Sequence, residues 1–364
     1  MIENSILKSE ERAILALRSI YKQYGYMPYK MSKFEEYDLY LKNKDFLLSD
    51  RIITFNDTTG KLLALKPDVT LSIIKNAEGA GSKYKVYYNE NVYRVSDGSK
   101  QYKEIMQTGL ECIGNIGIYD IYEALLLAAK SLAAISDRYV LDISELDILT
   151  AALDLASPDE SFRSAAIKCI KEKNEHDLEK ICTAFGVNGM AKERLVAFAG
   201  ICGKLGEVIP MLEEYAVGED MLSAIEELKL LCSLLEKSGL SERICFDFSV
   251  INDMNYYNGT VFRGFIDGIP AAVLAGGRYD KLLARMGKNS SGIGFAIYLD
   301  LIENIAERAE YDVDVLLIYP EALSADRLAH KVSELISLGK SVRTEVKIPS
   351  GLRYKELISL LPEV

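Results

Sequence analysis

Histidine is scarce in this sequence. Only His176 and His330 occur, both in polar helical stretches ("KNEHDLEK" and "ADRLAHKVSE"). Neither has a plausible partner close by in sequence, which argues against a histidine-based catalytic triad and a histidine-rich metal site. Paired cysteines are missing too. Cys112, Cys169, Cys182, Cys202, Cys232 and Cys245 show no Cys-x-x-Cys step or zinc-like spacing. Most lie in apolar surroundings such as "KLLCSLL", so they read as small core residues in a reducing compartment, and no metal is expected. No stretch approaches the roughly 18 uninterrupted apolar residues of a membrane span. The start, "MIENSILKSEER", is charged and has no apolar h-region, so no secretory signal is expected and the chain should be cytoplasmic. A basic excess is also lacking. With 43 Lys and Arg against 54 Asp and Glu, the net charge is −11 and the pI about 5.0. That disfavours broad attraction to nucleic acid but leaves room for a local basic patch.

What is present is the balance of a soluble globular protein, 49% apolar and 27% charged, with 364 residues, enough for two or three units. Residues 5–25 repeat apolar positions every three or four, as an amphipathic helix does. "RIITFNDTTGKLLAL" reads as a hairpin turning at Asp57–Gly60. "YKVYYNENVYRV" and "EIMQTGLECIG" read as strands, and "DIYEALLLAAKSLAAI", free of Gly and Pro, as a helix. From about 145 to 240 helix formers dominate and strand signals vanish, which predicts a helical insertion. Strands return at "ICFDFSV", "GTVFRGFID", "AAVLAGG" and "GIGFAIY", the last leading into a helical turn. A charged stretch near 305–312 reads as a hinge. After it, "DVLLIY", a helix over 323–338, "SVRTEV" and a last helix from about 351 predict a small α/β unit. The expected class is α+β: an antiparallel core sheet with helices over 1–310, and a truncated α/β unit over 311–364.

Four segments put polar groups on apolar elements. "LALKPDVTLSI" carries Lys66, Asp68 and Thr70. "VYRVSDGSKQYKEIMQTGLECIG" carries Arg94, Lys103, Gln107 and Glu111. Gln107 and Glu111 share a strand face, with Gly109 leaving room between them. "NDMNYYNGTVF" has Tyr256 and Tyr257 side by side, and "AAVLAGGRYDKLL" turns through Gly276–Asp280 into a helix. Each has a plainer reading: Glu111 as a solvent-facing strand residue, the tyrosines as strand formers, Asp280 as a helix cap worth about 1 kcal/mol. Together, carboxylates, an amide and tyrosine hydroxyls suit a small zwitterion carrying an ammonium and a second polar N–H.

In their order along the chain these segments resemble the catalytic core of the class II histidyl-tRNA synthetases. "LALKPDVT" is similar to that family's Arg-Pro-Glu-Gly-Thr segment, and "VYRV…QYKEIMQTGLECIG" to motif 2. "MNYYNGTVF" and "LAGGRYDKLL" are similar to the two histidine-specific signatures, and "GIGFAIYLDLI" to motif 3. The likeness spans roughly 5–305 and includes a helical insert. It implies a class II aminoacyl-tRNA synthetase-like antiparallel sheet flanked by helices. By resemblance, Asp68 receives the ammonium of histidine with Thr70 beside it, and Gln107 and Glu111 contact the bound amino acid. Tyr256 and Tyr257 close over its imidazole, and Arg94 stands at the first arginine of motif 2.

The nucleotide half departs from the family. Val95-Ser96 replace His-Glu, Lys103 and Asn252 replace arginines, and Leu301 replaces the closing arginine of motif 3. Lysine lacks the bidentate fork of arginine, and leucine offers no cation at all. One lost transition-state donor costs on the order of 2.7–4 kcal/mol. Residues 311–364 carry seven Lys and Arg against eight Asp and Glu, not the basic face of an RNA-binding module. This combination resembles the synthetase paralogues that serve as regulatory subunits of ATP phosphoribosyltransferase in histidine biosynthesis. That resemblance implies a non-catalytic, allosteric chain with no cofactor. Its partner would be the short-form catalytic subunit and its feedback effector L-histidine. It would self-associate as a dimer within a hetero-oligomer, through the segment near "YGYMPYKMSKFEEY". An active, divergent synthetase remains the alternative, and Lys66 and Asp68, where the family has Arg and Glu, leave a third reading open: a different amino-acid or RNA task.

Overall fold

The structure, a computed structural model, describes residues 7–43, 52–77, 83–95, 101–251, 254, 256–302 and 311–360. The chain divides into two compact units, Met1–Glu303 and Asn304–Val364. The first begins with α1 (Ser9–Gln23), β1 (Met27–Pro28), β2 (Phe34–Glu36), α2 (Tyr37–Lys42), β3 (Thr54–Asn56), β4 (Leu62–Leu65) and α3 (Thr70–Asn76). The long hairpin β5 (Tyr84–Val95) and β6 (Tyr102–Gly114) leads to α4 (Ile118–Ile135) and β7 (Tyr139–Glu145). Helices α5 (Leu146–Ala156), α6 (Glu160–Lys171), α7 (Glu175–Ala184) and α8 (Gly189–Gly200) follow. Next come β8 (Cys202–Lys204), α9 (Leu205–Glu214) and α10 (Gly218–Lys237). The unit closes with β9 (Ile244–Asp247), β10 (Asn258–Ile266), β11 (Leu274–Arg278), α11 (Asp280–Arg285) and β12 (Ser291–Tyr298).

Among the described residues, nine strands form the main sheet, in the order β1-β5-β6-β12-β11-β10-β7-β9-β8. Neighbours run antiparallel except β1 with β5 and β7 with β9. Strand alternation divides the sheet into two faces. Leu110, Phe262, Leu274, Phe295 and Ile297 bury one face in the main core with Leu17 and Tyr21 of α1 and Leu125 and Leu132 of α4. The other carries Gln107, Glu111, Ala275, Gly294 and Ala296. A smaller antiparallel sheet, β2-β4-β3, holds the expected hairpin. At its turn, Asp57 Oδ1 accepts hydrogen bonds from the Thr59 and Lys61 backbone N–H groups, and Gly60 takes φ +85°.

α4 forms where expected, and the Asp120 carboxylate at its start accepts from Gly117 N–H at 2.8 Å. β7 was not foreseen, nor was β8 inside the helical region. β8 has three residues, too few for a periodic pattern, and forms by pairing with β9. His176 and His330 are exposed, and Cys112, Cys169, Cys182 and Cys232 are buried, whereas Cys202 is exposed. The charged stretch at 303–310 lies outside the described residues.

The second unit corrects the sequence reading. It contains β13 (Val313–Ile318), α12 (Ala325–Ser337) and β14 (Val342–Glu345), but the segment read as a last helix is a strand, β15 (Tyr354–Ser359). The three strands are parallel, in the order β14-β13-β15, with Val313 opposite Tyr354 and Ile318 opposite Ser359. The apolar spacing of "GLRYKELISLL" suits a helix, yet β13 is central and its second edge needs a hydrogen-bonding partner. Backbone pairing overrides local periodicity there. Val315, Leu317 and Leu335 form this unit's own small core.

Candidate functional site

The polar face of the main sheet opens into a cavity of about 840 Å³. Asp68, Thr70, Arg94, Gln107, Glu111, Tyr256 and Tyr257 all line it. Ala275 and Tyr279 line it as well, so all four sequence segments meet in one place: β6 sits beside β12, β12 beside β11 and β11 beside β10, and Thr70 of α3 reaches Glu111 of β6.

Glu111 is buried among the residues that line the cavity, 3% exposed. Thr70 Oγ1 donates to its Oε1 at 2.8 Å, and Tyr279 O–H donates to its Oε2 at 2.6 Å. Burial nevertheless pushes its carboxyl up to about 8, against the lowering effect of those two hydrogen bonds. Asp68 sits just before α3, where its Oδ1 accepts from Leu71 N–H at 2.9 Å. Burial raises its pKa as well, while that amide and the positive charge of Arg94 oppose the shift. Arg94 Nε donates to the Pro67 carbonyl at 2.8 Å and so holds β5 against the loop that carries Asp68. The rings of Tyr256 and Tyr257 lie 4.4 Å apart, and Tyr256 meets Tyr279 edge-on at 6.1 Å. Burial holds the Tyr88, Tyr256, Tyr257 and Tyr279 hydroxyls well above the usual phenol range, so they remain protonated donors. The arrangement is an aromatic-walled pocket in which the Asp68 and Glu111 carboxyl groups can receive cationic N–H groups, while Arg94, Arg163, Lys171 and Arg263 stand elsewhere along its lining. Among the described residues no histidine or cysteine lines it, and no group of three or more His, Cys, Asp or Glu is placed to hold a metal.

Several residues fall elsewhere than the sequence suggested. Lys66 is fully buried away from the cavity and pairs with Glu90, Nζ to Oε2 2.5 Å. Lys103 is exposed and does not line the cavity. The room left by Gly109 is taken: a Cβ there would meet the Tyr88 hydroxyl at 2.6 Å and the Phe295 carbonyl at 2.2 Å. Tyr88 was missed as a site residue; only the β5–β6 register, which sets it opposite Gly109, could have pointed to it. Tyr279 lies within "AAVLAGGRYDKLL", and nothing in that local pattern marks it as a site residue. A cross-strand row of Ala296, Ala275 and Arg263 extends the floor. Helix α6 adds Glu160, Arg163, Ser164, Ile167 and Lys171, one helical face, so the region read as an insertion lines the cavity too. Leu301 is half-buried and packs against the main core. Val95 is buried in β5, whereas Ser96 and Asn252 lie outside the described residues.

Asp280 is the first residue of α11, not a simple cap. Its Oδ2 accepts from Arg278 Nε at 2.7 Å and Asn258 Nδ2 at 3.3 Å, and its Oδ1 from Gly292 N–H at 3.0 Å. It therefore joins β10, β11 and β12. Asp280→Ala is expected to lower stability by about 1–3 kcal/mol by leaving these donors unsatisfied, measurable as a drop in melting temperature.

Residues 4–302 match the histidyl-tRNA synthetase family. The chain belongs to that family. It is 25% identical over 347 residues to an ATP phosphoribosyltransferase regulatory subunit of Acetivibrio thermocellus, covering 92% of this chain and 82% of that one. Its fold is similar to a solved ATP phosphoribosyltransferase regulatory subunit/histidyl-tRNA synthetase from Bacillus halodurans. The TM-score is 0.76 at 21% identity, covering 98% of this chain and 95% of the other. It is also similar to a chain of the ATP phosphoribosyl transferase (HisG:HisZ) complex from Thermotoga maritima. There the TM-score is 0.62 at 18% identity, over 79% and 96% of the two chains. These likenesses agree with the histidyl-tRNA synthetase-like mixed fold and its large central sheet. No helix among the described residues is long and apolar enough to cross a membrane.

Proposed function

We propose that this chain is the non-catalytic regulatory subunit of an ATP phosphoribosyltransferase, acting in the cytoplasm with a short-form catalytic subunit and binding L-histidine as feedback effector. The observation that carries the reading is the asymmetry of the site. Asp68, Thr70, Gln107, Glu111, Tyr256 and Tyr257 converge on one cavity, while the half-buried Leu301 packs against the core where a synthetase would place an adenine-stacking cation. Feedback sensing needs an amino-acid pocket and no phosphoryl chemistry. The regulatory subunit of Acetivibrio thermocellus and the Thermotoga maritima complex support the choice of partner. A dimer through residues 24–37, within a hetero-oligomer, and the division into a 1–310 core and a 311–364 unit belong to the same proposal.

Reconstitution tests it. Mixing the chain with a short-form catalytic subunit should raise product formation over the catalytic subunit alone, and histidine should then suppress it. Histidine alone should bind the purified chain at about 10–100 μM, corresponding to about −5.5 to −7 kcal/mol. Absence of activation would overturn the regulatory role. Histidine-dependent ATP–pyrophosphate exchange would mark a divergent synthetase instead.

A further inference from the structure

The segment bearing Tyr256 and Tyr257 runs directly into Asn258, Gly259 and Thr260, and this stretch is gripped from two sides. On one side is Asp280, whose backbone N–H donates to Asn258 Oδ1 at 2.8 Å. On the other is the junction of β7 with α5. There Thr260 Oγ1 donates to Glu145 Oε2 at 2.9 Å, and Gly259 N–H donates to Asp147 Oδ1 at 3.1 Å. Asp147 N–H in turn donates to Glu145 Oε1 at 3.3 Å, making Glu145 the N-cap of α5. Glu145 and Thr260 are cross-strand partners, 3% and 0% exposed, on the sheet face opposite the cavity.

A buried carboxylate is costly to keep, and Glu145 takes no part in lining the pocket. The ladder explains why one is kept here. The β10–β11 register shifts between Asn258 and Val261, and Gly259 takes φ +56°, so the β10–β11 ladder is irregular over this stretch and the side-chain bonds to Glu145 and Asp147 add to what holds it. We infer that Glu145, together with Asp147, is a positioning residue for the tyrosine pair, and that through it the first helix of the 146–237 region is tied to the ligand cavity. This rests on the proposed reading of the cavity as an amino-acid site. Helix α6 borders the same cavity, so the helical region meets the ligand space both directly and through the tyrosine segment.

Three variants test the inference. Thr260→Val removes the hydroxyl donor and keeps the shape. Asp147→Ala removes the acceptor of the Gly259 N–H, and Asp147→Asn keeps an acceptor oxygen at that place. In the ligand-free chain, amide exchange across residues 256–260 should quicken about tenfold in Thr260→Val and Asp147→Ala and stay near wild type in Asp147→Asn. Calorimetry should show histidine binding about fivefold weaker in the first two and restored in the third. Exchange and affinity within twofold of wild type in both disruptive variants would overturn the inference. If Thr260→Val does not fold, the two Asp147 variants decide alone. A wild-type chain that fails to bind histidine counts against the proposed function, and the exchange measurement still decides the positioning role.

Discussion

Replacing Glu111 with glutamine should weaken histidine binding by about 10- to 100-fold, measured by calorimetry. A hydrogen bond to a charged group is worth about 1.5–3 kcal/mol, and each 1.4 kcal/mol is about tenfold in affinity. Glu111 is buried in the lining of the cavity, with one carboxylate oxygen accepting from Thr70 and the other from Tyr279. The amide of glutamine keeps a single acceptor and presents an N–H₂ to one of those two donors. It therefore loses both the charge and part of the pocket's internal order.

The same residue gives the pH dependence. Burial raises its carboxyl from 4.5 to about 8, so the folded chain holds this proton more tightly than the unfolded chain does. Stability contributed by this group is therefore fully present below about pH 4.5 and falls as pH rises toward 8. A ligand N–H donated to ionised Glu111 reverses the preference and expels the proton. Histidine affinity should then rise from pH 6 to pH 8 with proton release, seen as a buffer-dependent heat, and Glu111→Gln should flatten that slope. Asp68 is shifted in the same direction by burial, and the ligand's own imidazole titrates at about pH 6.5, so the difference in slope between wild type and Glu111→Gln is the part that reports Glu111.

Gly294→Ala should abolish histidine binding and destabilise the main unit by about 3 kcal/mol, at the upper end of overpacking costs. A Cβ at this position would lie 1.9 Å from Glu111 Oε2 and 2.5 Å from the Leu110 carbonyl. The carboxylate could turn aside only by giving up Thr70 and Tyr279, and the carbonyl belongs to the β6–β12 ladder and cannot move. Thermal melting and histidine titration of one preparation report both effects. Gly206→Ala is the control. Its methyl would approach Glu236 Oε1 no closer than 3.9 Å, and in helix α9 it should be neutral or stabilising by up to about 1 kcal/mol.

In "GIGFAIYLDLI" the local pattern suffices for the strand and the helical turn after it, and Leu301 shows in the sequence as a missing cation. What Gly294 does there does not show, because its reason is the side chain of Glu111 on the neighbouring strand. The same division runs through the site. Asp68, Gln107, Glu111 and the tyrosine pair stand out as polar or paired residues on otherwise apolar elements. Tyr88, Tyr279 and Glu145 do not, since each acquires its role from a partner between 21 and 168 positions away.

Composition, strand alternation and the 3.6-residue helical period act over a few neighbours, and they alone determined the α+β class, most elements and the polar segments along the chain. Only tertiary structure decided that β15 is a strand, since its reason is the open edge of β13. Only tertiary structure brought α6 over the cavity and turned the Glu145 carboxylate toward Thr260. Hydrogen-bond partners and buried space are properties of residues distant in sequence, and no local pattern encodes which of them will meet.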